Sequence, residues 1–117
     1  MCSIAKYNDL VRKALIDPMV KRVLDDEGCQ FRVYMTAALQ HSIENKSGLL
    51  SAVAHFTHFN EQNDPYEEHD FIRFKFEDEW VNAKFDYYAH DLEHGSEDPA
   101  DLTKTVRVLT IMLVSDY

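Results

Sequence analysis

Glu68-His69-Asp70 sets an imidazole between two carboxylates, with Asp86 and Asp91 a short way downstream. Carboxylates plus imidazole suit a divalent ion, and two acids with a histidine suit general acid–base work. The catalytic set would be Glu68, His69, Asp70 and Asp86. The metal set would be His69, Asp70, Asp86 and Asp91. The competing role for Asp64, His69 and Asp70 is to organise a turn by accepting backbone amides. That role is preferred, because no metallohydrolase motif accompanies the residues. His90-x-x-x-His94 with Glu93 is not H-E-x-x-H, and Gly95 beside it reads as loop; His55-x-x-His58 is weaker. No serine or cysteine lies in a nucleophile elbow, and three glycines supply no phosphate-cradling loop.

The elements that must position these residues are legible from periodicity. Ile4, Leu10, Val11, Ala14 and Leu15 make a helical stripe over residues 3 to 16, with Ser3 as cap and Asp17-Pro18 as stop. Asp17-Pro18 also starts a second short helix, with Val20, Val23 and Leu24 on one face and Gly28 at its end. Residues 30–37 alternate Phe31, Val33, Met35 and Ala37 against Gln30, Arg32, Tyr34 and Thr36, which predicts a half-buried strand. A helix over 48–59, capped by Ser47, puts Leu49, Leu50, Val53 and Phe56 inward. After a polar turn segment at 60–68, Ile72, Phe74 and Phe76 form one strand face. Val81, Ala83, Phe85 and Tyr87 form another, so the acidic reversal at 77–79 predicts a β-hairpin.

Residues 103–114 admit two readings. Asp98 as N-cap, Pro99 at the first helical position and Asp101 two residues on, with Leu102, Val106, Leu109 and Leu113 on one face, favour a helix. The β-branched series Val106, Val108, Thr110, Ile111 and Val114 fits a buried strand. With the helix preferred, the expected fold is α+β: a three-stranded antiparallel sheet, one strand plus a β-hairpin, with helices packed mainly on one face.

Charge is unevenly placed. Residues 61–101 hold fourteen Asp and Glu against Arg73, Lys75 and Lys84, a net −11 in a chain of net −9. Such a segment calls for a metal, a basic partner or a solubility role. A pI near 5.0 argues against direct nucleic-acid binding through a basic face. The 117 residues, 45 % hydrophobic, fit a single domain, 1–117, with an ordinary core. Cys2 and Cys29 form no C-x-x-C pair and read as free thiols. MCSIAKYNDL has no apolar signal region and the longest apolar run, residues 109–114, is far short of a membrane span, so a cytoplasmic location is expected.

Five segments occur in a specific order: Asn63-Asp64-Pro65-Tyr66, Glu68-His69-Asp70-Phe71, Lys84-Phe85-Asp86-Tyr87-Tyr88, Gly95 to Asp101, and Thr105 to Tyr117. Together they resemble a family of short bacterial and phage proteins catalogued as domain of unknown function 3768. Asn8-Asp9-Leu10 is similar too. The resemblance covers about the last sixty residues well and the first sixty loosely. It implies a small cytoplasmic protein, often encoded on plasmids, prophages or phages, and supplies no activity. Glu67 and Asp78 stand where glycine is expected from it, and Ile72 replaces a small residue.

The functional expectation is therefore a non-catalytic interaction protein without a cofactor, the alternative being a divalent metal ion. Its carboxylates Asp64, Glu67, Glu68, Asp70, Glu77, Asp78, Glu79, Asp91, Glu93 and Glu97 would face a basic, nucleic-acid-binding protein. Trp80 and Tyr88, outward by alternation, would act as anchors. By analogy with small acidic phage inhibitors, including anti-CRISPR proteins, the surface would imitate a phosphate array. A metal-dependent enzyme using Glu68, His69, Asp70 and Asp86, and a homodimeric accessory protein, are the alternatives.

Overall fold

Residues 3–117 are described by a computed structural model. Helix α1 (Ser3–Ala14) buries Ala5, Asn8, Val11 and Arg12, so its inner stripe carries two polar residues. Ser3 is its first described residue, not a cap preceding it. Cys2 lies outside the described residues, and Cys29 is a buried free thiol. Helix α2 (Pro18–Asp26) starts as its sequence signals: Asp17 accepts the Met19 amide and Pro18 takes a first-turn position. Gly28, at φ +76°, then turns the chain into strand β1 (Gln30–Met35).

The helix expected over 48–59 is α4, displaced to Lys46–His55, and an unexpected helix precedes it where the strand expected over 30–37 stops short at Met35. Thr36 caps α3 (Ala37–Ser42), whose six residues are too few to show a helical stripe in sequence. Asn45, not Ser47, caps α4 (Lys46–His55) by accepting the Gly48 amide. The hairpin forms as expected from β2 (Phe71–Phe76) and β3 (Glu79–Tyr88). Its two-residue turn puts Glu77 and Asp78 at φ +50° and +63°, the positive pair that a type I′ connection requires. Asp78 is one of the two positions where the resemblance expects glycine. Glu67, the other, also has positive φ, at +55°.

Residues 103–114 are corrected from helix to strand. The Asp98-Pro99 signal makes a tight turn, in which Asp98 accepts the Ala100 amide, and Asp101 caps a single 3-10 turn at Leu102–Lys104. Strand β4 (Val106–Leu113) follows and pairs on both sides. The sheet is consequently four-stranded and mixed, in the order β1-β4-β3-β2, with β1 parallel to β4 and the other pairs antiparallel. A central strand is buried on both faces, so β4 reads as a nearly continuous apolar run without alternation.

All four helices send buried residues to one face of the sheet. Val11, Leu24, Leu39, Leu49 and Val53 pack with Ile72, Val81, Ala83, Phe85, Leu109, Ile111 and Leu113. The other face carries no helix from this core; a final 3-10 turn (Val114–Asp116) brings the Tyr117 ring against Phe71 and over Lys84. No helix among the described residues is long and apolar enough to cross a membrane.

Candidate functional site

Asn8 and Arg12 follow Ala5 at helical spacing on the inner side of α1, where the pattern calls for apolar residues. A buried polar group needs partners, and theirs come from the acidic loop and the sheet. Arg12 donates to the carbonyls of Val53 (2.9 Å) and Phe56 (3.0 Å) and to Asp9 (2.5 Å). Asp9 in turn accepts from His69 Nδ1, at 2.9 and 3.0 Å from its two oxygens. The His69 ring stacks flat on Phe59, with centroids 3.9 Å apart. Its Nε2 lies 3.5 Å from an Asp64 oxygen. Asp64 is buried, and its other oxygen accepts the amides of Glu68 and His69.

His69 itself holds φ +54°, and Glu67 is similar, so the loop turns back on itself twice within three residues. Left-handed backbone at a non-glycine residue is uphill and persists where surrounding contacts over-determine it. Here the Asp64 cap and the Asp9–His69 bond do so. A cleft of about 380 Å³ opens beside the ring, lined by Phe59, Asn60, Glu61, Asp64, Pro65, Glu67 and His69.

A second polar group lies deeper. Arg107 on β4 is wholly buried. Its guanidinium sits between the rings of Tyr7 and Tyr87, donating to Asn8 Oδ1 (3.0 Å) and the Pro99 carbonyl (3.2 Å). Among the described residues it has no carboxylate in ion-pair range, and its Nη1 has no partner. Burial lowers its pKa. Asn8 completes the link by donating to the Tyr87 hydroxyl (2.7 Å) and to the Glu68 carbonyl. Burial pushes the Tyr87 hydroxyl well above its ordinary value.

The four residues read as a catalytic set do not converge. His69 turns to Asp9 and Asp64. Glu68 contributes its backbone carbonyl and a half-buried carboxyl whose pKa burial raises, with Asp70 and Asp64 adding to the effect. Asp70 continues the register of Ile72 toward the helices, whereas Asp86 pairs with Lys84 (3.2 Å) on the opposite face. The metal set is equally divided. Asp91 belongs to its own loop, where it accepts the amides of Glu93 and His94 and meets His94 Nδ1 at 2.6 Å. Those bonds, the His94 amide first, hold its carboxyl far below the usual range. Asp91, Glu93 and His94 form a close exposed group that does not include His69, Asp70 or Asp86.

Nor do the partner-facing acids form one field. Glu67, Glu68, Asp70, Asp91, Glu93 and Glu97 lie in the loops at the end of the sheet where β2 begins and β3 finishes. Glu77, Asp78 and Glu79 occupy the hairpin tip at the other end, about 17 Å away along the strands. Glu77 is engaged there, its carboxylate accepting the Glu44 and Asn45 amides, which lowers its pKa. Trp80, 53 % exposed, and Tyr88, half-buried, face outward as alternation requires, on the helix-free side of the sheet.

Asp70 offers a pH test of this picture. Burial first, then the Asp64 and Asp86 charges, push its carboxyl above the ordinary 3.8, against its backbone hydrogen bond and His69. A carboxyl raised by folding releases its proton more readily in the unfolded chain. Stability therefore falls as pH rises from 3.8 through the folded value, and the deficit persists above it. Asp70→Asn is expected to raise the urea midpoint at neutral pH, with the gain gone below about pH 3.8. Equal midpoints for variant and parent at neutral pH would contradict the assignment.

Residues 35–116 match the family described as Protein of unknown function (DUF3768), and the chain belongs to that family. The segments that carry its resemblance meet at the polar network: Asp64 and His69, Tyr87, and Arg107 of the last strand. No curated protein and no solved structure significantly matches the chain.

Proposed function

We propose that this is a non-catalytic interaction protein of a mobile genetic element, whose acidic loop end docks a basic protein. The supporting observation is the cleft beside His69. Three carboxylates, Glu61, Asp64 and Glu67, and the Phe59 ring line it, with no lysine or arginine among the lining residues. A lysine or arginine side chain of the partner fits such a wall by charge. Glu93 and Glu97, in the loop after β3 at the same end of the sheet, add to the negative field that would steer the partner in. The partner face thus draws on the loop acids and not on the hairpin acids. If the partner's basic site normally holds a nucleic acid, the docked chain displaces it as a phosphate mimic.

The test is capture of a partner from the native host on the immobilised chain, followed by washing across a salt series. Binding is expected to weaken steeply with salt, because exposed charges are screened beyond a Debye length. The double variant Glu61→Lys, Glu93→Lys is expected to abolish capture with the unfolding midpoint unchanged. Retention of the same partner by that variant, or equal retention at low and high salt, would refute the reading.

A further inference from the structure

The three basic residues of the acidic segment, Arg73, Lys75 and Lys84, all alternate onto the helix-free face of the sheet. Arg32 joins them from β1. Asp86 is the one acid at a strand position on that face, and it is paired with Lys84. Lys75 lies 4.0 Å from Asp78 at the hairpin tip, and neither arginine has a carboxylate in ion-pair range among the described residues. Most of the segment's acids thus lie in the end loops, and its cations lie on the helix-free face of the sheet.

Rings accompany the cations. Tyr34, Thr110, Lys84 and Phe71 form one row across the four strands. Trp80 stands two rows away beside Lys75. Tyr34 and Trp80 are 50 % and 53 % exposed, and strand spacing separates them by about 15 Å. Asn82 Oδ1 holds the Arg73 side chain at 2.8 Å, with its guanidinium 5.7 Å from the Phe71 ring. A buried apolar centre, Val108 and Met112, supports them from beneath.

We infer that this face binds a single strand of nucleic acid, with bases stacked on Tyr34 and Trp80 and phosphates met by Arg32, Arg73 and Lys75. Exposed rings interleaved with cations on an open sheet are the parts such binding uses. A second copy of the chain fits poorly, because two-fold packing would set cations against cations. An acidic polypeptide would satisfy the cations and leave the exposed rings without planar partners. The negative loops do not forbid the contact. They border the face rather than cover it: Asp70 precedes Phe71, Asp78 lies 4.0 Å from Lys75 and Asp86 pairs with Lys84, while Arg32 and Arg73 have no carboxylate in ion-pair range among the described residues. This surface is separate from the acidic cleft, and neither reading depends on the other.

Trp80 is the single tryptophan of the chain, so its fluorescence reports on this face. The experiment titrates the full chain with fluorescein-labelled oligothymidylate and oligouridylate of about twelve nucleotides, reading anisotropy, and with unlabelled strands, reading Trp80 emission. Saturable binding with quenching is expected. Three phosphate contacts predict a loss of about 20-fold in affinity between roughly 50 and 200 mM salt. Tyr34→Ala and the double variant Arg32→Glu, Lys75→Glu, all at exposed positions, are each expected to weaken binding by about tenfold or more with unchanged circular dichroism. Glu61→Lys, Glu93→Lys should leave quenching in place, which keeps this test apart from that of the cleft. Absence of binding to both strands would overturn the proposal. So would unaltered affinity in the Arg32, Lys75 variant, or a polyglutamate peptide that quenches Trp80 as strongly as the oligonucleotides.

Discussion

Asp9→Ala lowers the stability of the fold by about 3–5 kcal/mol, far more than removal of a surface ion pair. Asp9 is partly exposed, but its partner is not: the Arg12 side chain is 4 % exposed. Arg12 spends its other bonds on the carbonyls that end α4, at Val53 and Phe56. Without Asp9 its charge stays buried with no counter-ion, and His69 Nδ1 loses its acceptor as well. The damage therefore spreads from α1 to the α4 terminus and to the loop carrying the cleft. Asp9→Asn is expected to cost less, because an amide oxygen still accepts from both donors while the charge is lost. Urea unfolding of the two variants checks the ordering. A loss below about 1 kcal/mol for Asp9→Ala would show that Arg12 is solvated in another way.

Arg107→Ala is expected to cost about 3 kcal/mol or more, through the cavity left between two tyrosine rings and the stranded acceptors of Asn8 and Pro99. Arg107→Met separates charge from volume. The guanidinium bears a desolvation penalty with no carboxylate to offset it. An apolar side chain of similar length keeps the packing and removes that penalty but still strands the Asn8 and Pro99 acceptors, so the methionine variant should fall between the parent and the alanine variant. If methionine destabilises as much as alanine, the hydrogen bonds to Asn8 and Pro99 matter more than the filled volume.

These two arginines also show where a sequence reading reaches its limit. The period of α1 was readable, and Asn8 and Arg12 follow Ala5 at helical spacing, although the stripe drawn from the sequence passed through Ile4, Leu10, Val11, Ala14 and Leu15. That signal was available, but it names no partner. Asp9 meets His69 across sixty residues, and Arg107 meets Asn8 across ninety-nine. Adjacency in the chain suggested Glu68-His69-Asp70 as a ligand set, second to the preferred turn role, and Asp64 does accept the Glu68 and His69 amides. In three dimensions His69 turns back to α1, and the resemblance to a family carried both Asn8-Asp9 and Glu68-His69-Asp70 without linking them.

The strands divide the same way. For the hairpin, alternation was enough: β2 and β3 are half-covered, and each side chain declares its face. For β4 it was not. Its residues are buried on both faces by packing from segments far away in sequence, which erases the alternation and lets a leucine spacing imitate a helix.

The chain by itself determined the caps of α2, the hairpin, the outward setting of Trp80 and Tyr88, and the excess of acid in residues 61–101. All of these depend on neighbours a few residues apart, where backbone sterics and side-chain period act directly. Only the tertiary structure decided that the acids divide between the two ends of the sheet and that the scarce cations collect on its open face. It alone also decided that a histidine from the acidic loop is held by an aspartate of the first helix. Charges and hydrogen-bonding groups act through space at a few ångströms, and which groups come that close is set by how the helices and strands pack.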